Sequence, residues 1–183
     1  MQKLTDENIT NQENLTLPVL AVRGLVFFPG MMLQFDITRK KSVLAASEAI
    51  AQDRLIFLVS QVHMSDKEPV GDDLYKMGVI ARIKQVLHHS EEGAKLHVEG
   101  LCRGEIQSLL HEEPYLLGNV LKCPMLTYKR TSKSEALIRI IHEKFDEYLR
   151  LFKHVPPDVL LGVLQEKDCG RLADYIASNI SID

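Results

Sequence analysis

The chain has no tryptophan and only three cysteines, Cys102, Cys123 and Cys169, among its 183 residues. An odd number of widely spaced thiols argues against a disulfide framework and against any zinc-ligand spacing, so they read as reduced thiols. No apolar run approaches the roughly 18–20 residues that span a bilayer. The N-terminus, MQKLTDENITNQEN, is polar where a signal peptide would be apolar. Residues 1–14 are therefore expected to be a disordered tail on a cytoplasmic protein that does not contact membrane. A net charge of −3 gives no general pull toward nucleic acid. Catalytic motifs are missing too. There is no GxxxxGK[ST] loop to cradle phosphates, no GxSxG elbow, and HEEP at His111 lacks the second histidine of a zinc-protease helix. No catalytic, cofactor or metal site is expected, and His88, His89 and His97 read as ordinary histidines at strand ends.

What is present is a well-patterned globular sequence, 45% apolar and 26% charged. In the stretch LPVLAVRGLVFFPG, positions 17, 19 and 21 point one way and 20 and 22 the other, and all five are apolar. Such a strand is buried on both faces. Pro18 lacks a ladder donor, which predicts an edge or first position, and Phe28 before Pro29 leads into a turn at Gly30. Met31 to Ile37 follows as a second strand. Arg39 to Asp53 changes to helical period through Val43, Ala46 and Ile50, and Leu55 to Val59 is a short central strand. Residues 62–73 read as an exposed loop. Two long strands come next, one with Val79, Ala81, Ile83 and Leu87 on a single face, the other marked by Leu96, Val98 and Leu101. Val120 to Cys123 adds one more. The sum is a mostly antiparallel sheet of about six strands, curled into a small barrel with one packed helix.

From Ser132 the pattern becomes helical. Ser132 and Glu135 suggest a capping box, and Ile138, Ile141, Phe145, Tyr148 and Phe152 form an amphipathic stripe. Pro157 suits the first turn of a second helix through Leu164, and Asp168 the cap of a third through Ile180. The expected organisation is a barrel over residues 15–124, a linker over 125–131 and a helical extension, a truncated bundle, over 132–183.

The opening strand and turn, followed by TRKKSVLAASEAI and RLIFLVSQ, resemble the start of the N-terminal domain of Lon, the ATP-dependent protease. DDLYKMGVIARIKQVL, KLHVEGLCRGEI and PPDVLLGVLQEKDCGRLADYIAS continue the resemblance to about Ser181, with departures at Lys40 and Cys169. It implies an α+β fold, a PUA-like β-barrel with a helical extension. It also implies a non-catalytic role in recognising unfolded, damaged or tagged protein substrates and in helping a hexamer assemble. ATP, Mg²⁺, the AAA+ module and the Ser/Lys protease would all belong downstream.

Two candidate substrate surfaces follow. Phe28, Met31 and Met32 suit promiscuous apolar contact if exposed, since thioethers adapt to many shapes; otherwise they are core. Arg39, Lys40 and Lys41 begin a helix where the dipole disfavours cations, so they either form a solvated face or contact acidic segments or another domain. Ile138, Ile141, Phe145, Tyr148 and Phe152 are the candidate assembly face, toward other Lon domains and subunits or a second copy of the fragment. The alternatives are a PUA-like RNA-binding module, opposed by the acidic balance and the lack of a basic, aromatic stripe, and a structural dimerisation module.

Overall fold

The computed structural model describes residues 13–90, 93–123, 131–151 and 156–180, and divides the chain into two compact units, Met1–Pro124 and Met125–Asp183. The first unit runs β1 (Asn14–Val22), β2 (Met32–Ile37), α1 (Lys40–Ala51), β3 (Leu55–Ser60), β4 (Met77–Ser90), β5 (Gly93–His111) and β6 (Leu117–Cys123). The second holds α2 (Ser132–Leu151), α3 (Pro157–Gln165) and α4 (Cys169–Asn179).

The sheet order is β2-β5-β4-β3-β1-β6, and a further β5–β6 pairing closes the ring. Only β1–β3 is parallel. Closure depends on the length of β5: residues 94–99 pair with β2, residues 103–111 pair with β6, and β4 runs along the other edge. A sheet closed on itself leaves few unpaired strand edges.

The two faces of β1 separate as its alternation predicts. Leu20 and Val22 enter one buried cluster with Ile56, Leu58, Val79, Ala81, Ile83, Leu96, Val98 and the inner face of α1. Leu17, Val19 and Ala21 enter another with Phe57, Val59, Ile80 and Val120. Pro18 is placed differently from expectation, inside β1 rather than at an edge or first position. Residues 14–18 pair with β6, and pairing with β3 begins at Val19. Val19 donates its N–H to the Leu116 carbonyl at 2.8 Å. Amide directions alternate along a strand, so the Pro18 nitrogen faces away from β6, on the side where no partner is yet engaged.

Leu87 also departs from its predicted face. The β4–β5 register shifts between Ile80 and Ala81, Ile83 and Gln85, and Val86 and His88, leaving Leu101, Lys84 and Leu87 as the extra residues. A bulge inserts one residue and exchanges the faces beyond it. Val86 therefore packs on the core while Leu87 is exposed. Leu101, and Leu110 at a further irregularity between β5 and β6, are exposed as well.

Helix α1 buries Ser42, Ala45, Ala46 and Ala49. It stops where Arg54 takes a left-handed φ of 65° and donates its N–H back to the Ala49 carbonyl. The loop of residues 62–73 is held at its base by a Gln61–Leu74 bridge and by Val62 N–H to the Asp73 carbonyl, 2.7 Å.

In the second unit, Phe145 of α2, Val159 and Val163 of α3 and Leu172 of α4 form a core. Asp168 caps α4 through the Arg171 N–H at 2.9 Å. The α2 capping box lies one residue earlier than expected: Thr131 and Ser134 exchange bonds, Ser134 N–H to Thr131 Oγ1 at 3.1 Å and Thr131 N–H to Ser134 Oγ at 2.9 Å. No described helix is long and apolar enough to cross a membrane. The three thiols are free and half-buried, and burial raises the pKa of Cys102 and Cys123.

Candidate functional site

The apolar corner between β1 and β2 is fixed from below by β5. Gly30 N–H donates to the Gly100 carbonyl and Gly100 N–H to the Met31 carbonyl, both at 2.9 Å. Gly100 permits this approach because a Cβ there would stand 2.5 Å from the Phe28 carbonyl oxygen and 3.0 Å from the Phe27 ring. Within the corner, Phe28 N–H points at the Met31 sulfur at 3.2 Å, and Gly30 takes a φ of 83° that few side chains tolerate. The corner residues divide by exposure. Phe27 is core, Phe28 and Met31 are half-buried, and Met32 and Val26 are 57% and 62% exposed. Val26 escaped the sequence reading because it sits next to the core residues of the same apolar run.

The basic cluster at the start of α1 also divides. Arg39 is an internal strut: its guanidinium donates to the Ala21 carbonyl (3.2 Å), Gln61 Oε1 (2.6 Å) and the Asp66 carbonyl (3.3 Å). Burial and then the neighbouring Arg23 lower its pKa, while Glu68 opposes them. Lys41 pairs with Glu113 at 2.6 Å, and Lys40 stays exposed. Arg39 and Lys40 line a cleft of about 500 Å³ with Arg23, Lys67, Asp36 and Glu68 at its rim and Leu20, Val22, Leu25 and Phe35 among its walls. The corner residues Phe28, Met31 and Met32 do not line it, so the two candidate surfaces are separate. Sequence reasoning could not find this cleft, because residues 62–70 are brought to α1 only by long-range bonds such as Arg39 to Gln61 and Asp66.

In the second unit, Ile138, Ile141, Phe145 and Tyr148 face α3 and α4. The stripe therefore has its apolar partner within this unit. Phe152 lies outside the described residues. Leu137, Ile140 and Leu151 of the same helix are 49%, 52% and 79% exposed. No group of three or more His, Cys, Asp or Glu is arranged to hold a metal among the described residues.

Known proteins add independent information. The family model of the ATP-dependent protease La (LON) substrate-binding domain matches residues 16–183. The Lon protease of Desulforamulus reducens is 36% identical over 172 residues, covering 94% of this chain and 21% of that protein. That of Heliobacterium modesticaldum is 36% identical over 179 residues, covering 98% and 22%. This chain thus spans about a fifth of the length of these relatives. Among solved structures, the N-terminal domain of Mycobacterium avium complex Lon protease superposes with a TM-score of 0.69 at 22% identity, covering 91% of this chain and 85% of that one. At that identity the match speaks for the fold, and the α+β architecture agrees with it. The match over residues 16–183 leads to one assignment: the chain belongs to the Lon substrate-binding domain family.

Proposed function

We propose that this domain captures unfolded or damaged protein segments for an ATP-dependent Lon protease in the cytoplasm. Nucleotide hydrolysis and peptide cleavage are assigned to parts of the longer relatives that this chain does not span. The observation that carries the reading is the corner at residues 26–32, where exposed Val26 and Met32 stand on a backbone held by Gly100. A rigid base under adaptable apolar side chains suits a binder that accepts many sequences. Replacing Val26 and Met32 together by Ser removes the two exposed large apolar side chains of the corner while leaving the buried Phe27 untouched. Binding of a permanently unfolded protein, such as a reduced and carboxymethylated globular protein, is expected to weaken by about tenfold, the equivalent of about 1.4 kcal/mol. The thermal midpoint should stay unchanged, because exposed side chains contribute little to stability. Undiminished binding would remove the corner from the substrate surface.

The reading includes a contribution to oligomer assembly, for which we propose a different face of α2. The Ile138–Tyr148 stripe is covered by α3 and α4, so the assembly contact is assigned to exposed Leu137 and Ile140. Light scattering across a concentration series should show self-association that Leu137→Glu with Ile140→Glu abolishes. A chain that is monomeric at every concentration excludes that contact as a means of self-association.

A further inference from the structure

The cleft at the start of α1 carries an unbalanced charge arrangement. Arg23, Arg39, Lys40 and Lys67 oppose only Asp36 and Glu68. Among the described residues none of the four cations has an ion pair within 4.0 Å, while Asp36 is turned toward Lys95 at 3.8 Å. Arg23 and Arg39 donate to the same oxygen, the Asp66 carbonyl, at 3.1 and 3.3 Å. Two guanidinium groups are thereby held close on one carbonyl, whose own residue, Asp66, carries a buried carboxylate oxygen without a hydrogen-bond partner. The first turn of α1 adds to the positive potential. Its N-cap, Arg39, supplies no side-chain acceptor, and the turn contains no acidic residue. The leading N–H groups and the helix dipole therefore lack the anion that usually compensates them.

The walls are apolar where the rim is basic. Leu25 and Phe35 are half-buried, and the volume of about 500 Å³ lies within the range of cavities that enclose a small ligand. We infer that this cleft seats one carboxylate of a polypeptide, at a chain end or on an Asp or Glu side chain, beside an apolar residue resting on Leu25 and Phe35. The inference rests on the reading of the domain as a binder of protein substrates and gives that reading a second, charge-selective contact. A single carboxylate matches the forked guanidinium donors. A polyanion such as RNA would meet Asp36, Glu68 and the net negative charge of the chain.

The test uses the intact chain and a dye-labelled peptide ending in Phe-Leu, compared as the free acid, as the C-terminal amide, and as the amide with one internal Glu. Amidation is expected to weaken binding by about tenfold or more, the scale of one charge-assisted hydrogen bond. Recovery of affinity by the internal Glu identifies a side-chain carboxylate as an equal occupant; failure to recover restricts the site to chain ends. Arg23→Gln with Lys40→Gln, both exposed and outside the core, should bring the acid down to the affinity of the amide. The advantage of the acid should also shrink between about 50 mM and about 300 mM salt. Equal binding of acid and amide, or an acid affinity unaffected by the double substitution, overturns the inference. If the unfolded protein still binds in that case, the substrate reading survives and only the cleft is lost. If neither peptide nor unfolded protein binds, the substrate reading itself fails. Displacement of the peptide by single-stranded RNA at lower concentration than by a second acidic peptide would also overturn it.

Discussion

Phe57→Ala is expected to cost the barrel about 4 kcal/mol, the middle of the range for removing a buried ring. Phe57 is fully buried at the centre of β3, in the cluster formed by Val19, Val59, Ile80 and Val120. Its ring lies against two positions without side chains. A Cβ on Gly78 would stand 2.7 Å from the ring, and a Cβ on Gly104 would stand 3.1 Å from it. The cost of a core truncation depends on how far neighbours can collapse into the space. Two glycines on adjacent strands have nothing to move inward, so the cavity stays open. Domains are stable by only about 5–15 kcal/mol. A loss of this size should lower the melting temperature by about 15 °C or more. Leu110→Ala is the matched control, since that leucine is 52% exposed and marks a strand irregularity. Its effect should stay within about 0.5 kcal/mol. Chemical denaturation followed by far-ultraviolet circular dichroism measures both, and a Phe57→Ala loss under about 2 kcal/mol would contradict an uncollapsed cavity.

The contrast between Phe57 and Leu110 also shows where the chain is legible from its letters. Alternation is a local property, and β1 obeys it: the odd and even positions of residues 17–22 go to different buried clusters. Caps and helix starts at Asp168 and Pro157 are local as well, and both occur where expected. Bulges are not local. Nothing in IKQVLHH marks Lys84 and Leu87 as extra residues, because the irregularity is defined by what β5 places opposite. A single inserted residue exchanges the faces beyond it, which is why Val86 rather than Leu87 packs inward. Pro18 fails for a related reason: one strand serves two partners, and the change of partner leaves room for a missing donor in mid-strand.

The candidate surfaces divide along the same line. The corner was legible because FFPG combines a turn with large apolar side chains, yet the glycine that clamps it lies far along the chain in β5. The run Arg39–Lys41 reads as one basic cluster, but Arg39 is the extended N-cap, and only Lys40 and Lys41 are helix positions, pointing about 100° apart. Arg39 therefore turns inward to Gln61 and Asp66, Lys41 reaches Glu113, and Lys40 faces solvent. The stripe of α2 shows the reverse problem. Its period was read correctly, but only the folded unit shows that α3 and α4 cover it, leaving Leu137 and Ile140 outside.

Gly78→Ala should destabilise the barrel by about 3 kcal/mol, the upper end of the usual cost of overpacking. A methyl group there would run into the Leu58 carbonyl oxygen and the Phe57 ring together. Neither can retreat cheaply. Leu58 pairs with Val79 in the β3–β4 ladder, and the Phe57 ring is enclosed within the buried cluster. Backbone conformation is not the obstacle, because Gly78 is absent from the positive-φ glycines, and alanine in an extended strand costs nothing by itself. The strain is thus one of space, which makes it partly reversible. Phe57→Leu shortens the ring that the new methyl group meets but leaves the carbonyl contact in place. Combined with Gly78→Ala, it should cost about 1 kcal/mol less than the sum of the two single losses, the kind of coupling expected of touching residues. A strictly additive double mutant would mean that the Leu58 carbonyl alone sets the limit, and that strand β4, not the ring, must shift to admit the methyl group.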